Sequence, residues 1–168
     1  MASTYTPIAS TTLNSTSYPV NFVSIPQTYT DLVLVCSLIS PDTVGPSVLA
    51  SVNSDGNANY SNTTLDGNGT SGTSQRRTNA TNIKLMDQGG LSTTIGNSTT
   101  TITHFMNYSS TSLFKTILTR GNTSTSMVEL GVNSWRSTAA ISSISIFVVA
   151  GAGFAAGSTF TLYGIKAA

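Results

Sequence analysis

The sequence has very little charge. Only 7 of its 168 residues are Lys or Arg and 6 are Asp or Glu, which leaves a net charge of +1. Charged residues make up 8% of the chain, against roughly 25% in an ordinary soluble protein. A chain this neutral has no basic surface for nucleic acid and no polybasic patch for a membrane surface. We therefore expect neither nucleic acid nor membrane as a partner.

Cysteine and histidine are nearly absent. Cys36 and His104 are the single examples of their types, which excludes a Cys/His zinc cage and a disulfide framework. Cys36 lies in an apolar run, so we expect a small buried hydrophobe there. His104 lies within a strand pattern, so we expect it to be half-buried and hydrogen-bonded. The sequence predicts no metal site and no cofactor.

The six acidic residues are scattered singly, so no pair of carboxylates suggests general acid–base catalysis. Asp55, Asp66 and Asp87 lie beside or close to glycine or asparagine and are expected to form turns. No Gly-x-Ser-x-Gly nucleophile motif occurs. We therefore predict no catalytic residue and no enzymatic activity.

Small polar residues and short apolar alternations dominate instead. The chain contains 26 Ser, 28 Thr and 13 Asn, and 39% of its residues are still apolar, enough for a core. Strand-like patterns recur between Gly, Pro, Asn and Asp clusters, and no helical periodicity is present. The predicted strands cover residues 20–25, 31–39, 47–53, 60–65, 100–108, 112–119, 127–132, 139–149 and 158–165, with a further segment, 76–86, leading to Ile83 and Leu85.

These patterns predict an all-β protein with one antiparallel β-sandwich domain. We assign residues 20–168 to a jelly-roll-like sandwich and residues 1–19, with Pro7 and Pro19, to an extended N-terminal arm. An up-and-down barrel is the alternative. The first residues contain no Lys or Arg and no apolar run, unlike a secretory signal.

Two further patterns point to self-association. The segment 31–39 is apolar on both faces, which predicts burial on both sides, either by a second sheet and a neighbouring segment or by another subunit. We expect Leu32, Leu34 and Leu38 at that subunit interface. Residues 1–75 contain acids and no bases, whereas all seven bases, beginning with Arg76 and Arg77, follow. This asymmetry would orient neighbouring copies.

Segments near both ends of the chain are similar to a known group of proteins. Residues 25–35 (IPQTYTDLVLV), together with 135–141 (WRSTAAI) and 157–165 (GSTFTLYGI), resemble small virion structural proteins of tailed phages, especially marine and cyanobacterial ones. Similar closing segments also end tail-fibre proteins.

The resemblance implies a capsid decoration, or cement, protein. Such a chain would be made in the host bacterial cytoplasm and would lie on the outer capsid surface as a homo-oligomer, expected to be a trimer, that bridges subunits of the major capsid protein. The N-terminal arm, with Tyr5, Pro7 and Ile8, is the expected capsid contact.

The alternative is a tail-fibre or adhesin domain that binds host surface glycans. Its candidate contacts are Trp135, Tyr60 and Tyr108, because aromatic rings offer an apolar face with a polar edge. For Trp135 we also expect a position at the edge of the core, with a cation from Arg136 stacked on the ring.

Overall fold

The β-branched residues of the chain form strands because their side chains fit the pleated surface of a sheet. The computed structural model describes residues 4–41, 45–87, 91–92, 97–124, 127–149 and 153–166. Within these ranges every regular element is a β-strand, and no helix capable of crossing a membrane is found there. The strands are β1 (Tyr5–Thr12), β2 (Val20–Phe22), β3 (Asp31–Leu38), β4 (Val48–Val52), β5 (Tyr60–Gly67), β6 (Gly72–Ala80), β7 (Ile83–Met86), β8 (Thr99–Met106), β9 (Lys115–Thr123), β10 (Val128–Trp135), β11 (Ile144–Val148) and β12 (Thr159–Ile165).

The strands form two sheets. The large sheet has eight strands in the order β1-β12-β3-β8-β9-β10-β5-β6, and the small sheet has four in the order β2-β11-β4-β7. All neighbouring strands are antiparallel. The inner faces of the two sheets enclose the core. The predicted all-β sandwich is therefore confirmed.

Early strands pair with late strands in a nested way. Strand β1 pairs with β12, β2 with β11, β3 with β8, and β4 with β7. The remaining strands, β5, β6, β9 and β10, extend the large sheet beyond β8. As a result, the large sheet is twice as wide as the small one, and it has an outer face that the small sheet does not cover.

The segment predicted as an arm is extended and lies along the last strand. Strand β1 is hydrogen-bonded to β12 over its whole length, with one irregularity between Pro7 and Ala9. Beyond the strand, the main chain of Ser17 exchanges two hydrogen bonds with that of Phe154. Residues 5–17 are thus attached to the sandwich, with β1 as one edge of the large sheet.

Strand β3 shows, within a single chain, why the segment 31–39 is apolar on both faces. Leu32, Leu34 and Leu38 are completely buried between the two sheets, where each such side chain contributes about 1.5–3 kcal/mol to folding. They belong to the core and are not available to a second subunit, which corrects the expected interface. Val33 and Val35 point to the outer face instead, because successive side chains alternate along a strand.

Cys36 lies on the inner face of β3, as predicted. It is completely buried, and this burial raises the pKa of its thiol to about 12. A thiol with that pKa is almost entirely protonated near neutral pH and is a poor nucleophile.

Candidate functional site

The outer face of strand β10 is apolar, although it faces solvent, and one leucine from each of the neighbouring strands β9 and β5 adjoins it. Leu65, Leu118, Val128, Leu130 and Val132 are between 39% and 62% exposed there. They account for five of the eleven large apolar residues that are exposed in the described part of the chain. Soluble antiparallel sheets normally place polar residues on the solvent side. This surface, defined by the five residues, is called the outer apolar face below.

Cross-strand register brings these side chains together. Leu118 of β9 lies opposite Val132 of β10, and Leu130 lies opposite Leu65 of β5. Directly opposed side chains in an antiparallel pair have Cβ atoms about 5 Å apart. The five residues therefore form one continuous patch on a rigid surface. Ile102 of β8 extends the patch toward the centre of the sheet, whereas Val33 of β3 is buried.

Beneath the middle of this patch, the inner positions of β10 and β5 are polar. Glu129 and Asn133 of β10 and Asn62 of β5 are almost completely buried. Gly131 lies between the two β10 residues, and a Cβ atom added to it would collide with the hydroxyl group of Thr119. The usual distribution of apolar and polar residues is therefore inverted in this part of the sheet.

The buried polar residues of β10 bind the main chain of β7, the edge strand of the small sheet. The Asn133 side chain accepts a hydrogen bond from the Lys84 backbone N–H (2.9 Å) and donates one to the Lys84 carbonyl (3.2 Å). Glu129 Oε2 accepts a hydrogen bond from the Asp87 backbone N–H at 2.9 Å. Buried backbone groups require such partners, so the polar inner face of β10 closes an edge of the small sheet.

An ionic cluster follows β7. The Asp87 carboxylate is in contact with the Lys84 amine and accepts a hydrogen bond from the Arg77 guanidinium at 2.8 Å. Asp87 also accepts a hydrogen bond from the Ser47 hydroxyl. The cluster ties β6 and β7 to the start of β4, which gives these charged side chains a structural role.

A groove of about 550 Å³ crosses the outer apolar face. Its walls include Leu65, Leu118, Leu130 and Val132, and Arg120 and His104 are the basic residues among its lining. A groove of this kind offers a broad apolar contact with few polar groups to orient a small ligand. The arrangement is suited to burial against another macromolecular surface.

His104 lies at the margin of this groove. Its Nε2 atom is 3.1 Å from Oδ2 of Asp31, and the other Asp31 oxygen accepts a hydrogen bond from the Asn107 backbone N–H at 2.7 Å. The His104 side chain is 34% exposed. The prediction of a half-buried, hydrogen-bonded strand histidine is confirmed, and the pair joins the beginning of β3 to the end of β8.

The three aromatic residues expected to contact glycans are buried. Trp135 is 2% exposed, and Tyr60 and Tyr108 are completely buried. The rings of Tyr60 and Trp135 are stacked with centroids 6.5 Å apart. These residues belong to the core, so the surface needed for glycan binding is not provided by them.

Trp135 interacts with a different cation from the one expected. The Lys115 amine lies 5.9 Å from the centroid of the indole ring, and desolvation lowers the pKa of this amine. The amine donates a hydrogen bond to the Leu113 carbonyl at 2.7 Å. Arg136 instead donates hydrogen bonds to the Tyr60 and Ala58 carbonyls.

Asp55 shows how the connection between β4 and β5 is held. One of its oxygens accepts hydrogen bonds from Asn59 (2.9 Å) and from the Trp135 indole N–H (2.7 Å). These two bonds are the main reason why the pKa of Asp55 falls to about 2. Asp55 is a turn residue, as predicted. Asp66, by contrast, lies within β5 and accepts a hydrogen bond from Thr73.

The expected capsid contacts lie on β1. Tyr5 is 54% exposed and packs edge-to-face against Tyr163 with ring centroids 6.1 Å apart. Pro7 is exposed, whereas Ile8 is partly buried and packs against the core. Tyr5 also lines the groove of the outer apolar face, so this edge strand and the outer apolar face are continuous.

The comparisons with known proteins gave no match to a family model, to a curated protein or to a solved structure. Within the described ranges, no group of three or more His, Cys, Asp or Glu side chains lies close enough together to bind a metal ion.

Sequence reasoning missed the outer apolar face. Val128, Leu130 and Val132 alternate with Glu129, Gly131 and Asn133, and such a pattern normally sends the apolar residues to the core. The signal that could have revealed the inversion is the neighbouring strand β5, where Asn62 and Thr64 occupy the inner positions and Leu65 an outer one.

Proposed function

We propose that the protein is a structural component of a phage virion, of the capsid decoration type, that acts by burying surface against neighbouring proteins. The outer apolar face is the observation that carries an assembly function. Exposed apolar patches of this kind mark sites of protein contact on soluble chains. The assignment to phage virions rests on the resemblance in residues 25–35, 135–141 and 157–165.

We also propose that the sandwich is a jelly roll. Eight strands pair as β1/β12, β2/β11, β3/β8 and β4/β7, which is the nested pairing expected when a long antiparallel hairpin rolls into two sheets. Strands β5, β6, β9 and β10 then count as additions to one sheet of that framework. This interpretation makes the outer apolar face a feature of the added strands.

In this proposal, the capsid contact is the β1 edge. An edge strand presents main-chain N–H and C=O groups that a partner can pair with, and Tyr5 and Pro7 are exposed beside them. The partner would be the major capsid protein. A contact of this kind opposes the internal pressure of packaged DNA by linking neighbouring capsid subunits.

Copy number in the particle tests the proposed function. Quantitative mass spectrometry of purified virions should give a fixed ratio of this chain to the major capsid protein, such as one to one. A few copies per particle would place the chain on the tail or at a vertex, against a decoration role. Its absence from virions would contradict the proposal.

A pair of matched variants tests the β1 contact. Tyr5 and Tyr18 are both 54% exposed, but only Tyr5 lies in an edge strand. In add-back experiments with particles that lack the protein, Tyr5→Ala should weaken binding at least about tenfold, equivalent to about 1.4 kcal/mol. Tyr18→Ala should bind like the unchanged protein. Equal effects of the two variants would contradict a contact at β1.

A further inference from the structure

We propose that Asn68 is a self-modifying site at the tip of the β5–β6 hairpin, where its side-chain amide cyclises onto the backbone nitrogen of Gly69 and releases ammonia. The inference goes beyond the proposed function, because it concerns a slow change in the charge of the protein and not a partner. The reaction needs water and no enzyme. Of the 13 asparagines in the chain, Asn68 alone is followed by glycine.

The hairpin loop holds the reacting groups on the surface. Strands β5 and β6 meet at the Gly67–Gly72 pair, and the residues between them form an exposed turn, in which the Asn68 backbone N–H donates a hydrogen bond to the Ser71 carbonyl at 3.1 Å. Gly69 has a φ of 87°, and a Cβ atom added to it would meet nothing beyond the adjoining residues within 4 Å. Its backbone nitrogen is therefore open to approach by the neighbouring side chain.

Four donors converge on the Oδ1 atom of Asn68. This oxygen accepts hydrogen bonds from the backbone N–H groups of Thr70 (3.0 Å) and Ser71 (2.8 Å) and from the hydroxyl groups of the same two residues (2.9 and 3.2 Å). When a nitrogen attacks Cγ, negative charge develops on Oδ1, and donors that already point at it stabilise the transition state. The turn therefore provides an oxyanion hole for the cyclisation.

The reaction is balanced with water as the only reagent. The Gly69 N–H loses its proton to hydroxide, the nitrogen forms a bond to Asn68 Cγ, and the Cγ–Nδ2 bond breaks as Nδ2 takes a proton from water and leaves as ammonia. Within the described part of the chain, no hydrogen bond holds Nδ2 or the Gly69 N–H. One molecule of water then opens the succinimide ring, which leaves a carboxylate as aspartate or isoaspartate.

Asn53 provides an internal comparison. Its Oδ1 atom also accepts hydrogen bonds from two backbone N–H groups, those of Ser142 and Ser143. However, its Nδ2 atom donates a hydrogen bond to the Ala140 carbonyl at 2.8 Å, and the residue that follows it is a serine. Asn53 therefore has similar donors, but it lacks the free leaving group and the unshielded nitrogen of the Asn68 site.

The product changes the charge of the protein and keeps the turn. Each conversion adds one negative charge, which cancels the net charge of +1. In the aspartate form, the N–H groups of Thr70 and Ser71 donate to a carboxylate, and hydrogen bonds to a charged acceptor are the stronger ones. The hairpin is therefore retained in that form. The converted fraction increases with time, so it records the age of the protein.

Mass spectrometry of the folded protein during incubation near pH 8 tests the proposal. Fragment ions should show that Asn68 is converted at least about tenfold faster than Asn53 and than Asn14, an exposed asparagine followed by serine. Labelling with an isoaspartate methyltransferase should detect isoaspartate at position 68. The absence of conversion at Asn68, or equal rates at the three asparagines, would overturn the proposal.

Variants of the turn test the two parts of the mechanism. Gly69→Ala should slow the conversion of Asn68 at least about tenfold, because the added methyl group shields the attacking nitrogen. Gly56→Ala is the matched control in another turn, since a Cβ atom added there also meets nothing within 4 Å, and it should leave the rate unchanged. Thr70→Val combined with Ser71→Ala removes the two hydroxyl donors and should lower the rate several-fold. Thermal unfolding checks that each variant is folded.

A synthetic peptide of residues 65–74 separates the effect of the hairpin from that of the Asn-Gly pair alone. The folded protein should convert faster than the peptide, because the peptide does not hold the four donors in place. A slower rate in the folded protein, or an unchanged rate in the double variant, would overturn the oxyanion hole. An unchanged rate in Gly69→Ala would overturn the attack by the Gly69 nitrogen. None of these outcomes depends on whether the chain occurs in virions.

Discussion

Strands β3 and β10 belong to the same sheet but distribute their side chains in opposite ways. On β3 the inner positions hold Leu32, Leu34 and Leu38, all completely buried. On β10 the inner positions hold Glu129 and Asn133 before the buried Trp135 at the end of the strand, and the outer ones hold aliphatic residues. Alternation along a strand therefore does not by itself tell which face is the core.

The difference follows from what each strand covers. The inner face of β3 contributes to the apolar core between the sheets. The inner face of β10 binds β7, whose main chain at Lys84 is hydrogen-bonded by Asn133. An edge strand needs polar partners, so polar side chains are required inside, and the apolar side chains of β10 lie on the solvent side.

The largest expected effect compares the two faces directly. Leu34→Ala should lower the free energy of unfolding by about 2–5 kcal/mol, because it leaves a cavity in the core. Leu130→Ala should change it by less than about 0.5 kcal/mol, since Leu130 is exposed. Urea unfolding at concentrations where the chain is monomeric measures both. A large loss for Leu130→Ala would mean that its side chain stabilises the isolated fold.

The next effect concerns the polar interior. Asn133→Leu should lower the free energy of unfolding by about 2–4 kcal/mol, because the Lys84 N–H and C=O groups each lose a buried partner worth about 1–3 kcal/mol. Asn122→Leu is the matched control, since Asn122 is an exposed residue of β9.

Hydrogen exchange measures the local effect of the Asn133→Leu substitution. The Lys84 amide should exchange markedly faster in Asn133→Leu, because its hydrogen-bond acceptor is removed. Unchanged protection of this amide, with unchanged stability, would show that Asn133 does not hold β7.

The smallest expected effect is on pH dependence. Because its folded pKa of about 2 lies below the ordinary value of 3.8, Asp55 stabilises the fold above pH 4, and this contribution is lost as the pH falls toward 2. Asp55→Asn should therefore be less stable near neutral pH, and its stability should fall less steeply between pH 4 and pH 2. Urea unfolding at a series of pH values measures this. Parallel curves for the two proteins would show that the carboxylate has no special role.

The strands with a buried face could be predicted from the sequence. The expected strand 31–39 matches β3 (Asp31–Leu38), and 158–165 matches β12 (Thr159–Ile165). Strand β6 (Gly72–Ala80) was missed over its first half, because an edge strand with two exposed faces has no apolar periodicity. Strand β1 was described as an arm for the same reason.

The candidate site was harder to predict than the fold. From the sequence, Trp135 and Tyr60 are candidate ligand contacts because aromatic rings are good contacts, but the structure packs them in the core. The apolar residues of β10 were assigned no role, because the identity of the buried face depends on which strand packs beneath it. That information lies in β7, more than 40 residues away in the sequence.

The nested pairing also determines when the chain can fold. Strand β1 leaves the ribosome long before its partner β12 is synthesised, and β2 likewise waits for β11. Folding must therefore close very long loops, which makes it slow compared with proteins built from local contacts. Until Thr159–Ile165 has been made, β1 and β3 both lack a neighbour in the sheet. During synthesis the nascent chain thus exposes strand edges that can pair with other nascent chains. Pairing of β12 with β1 and β3 covers these edges and so limits aggregation.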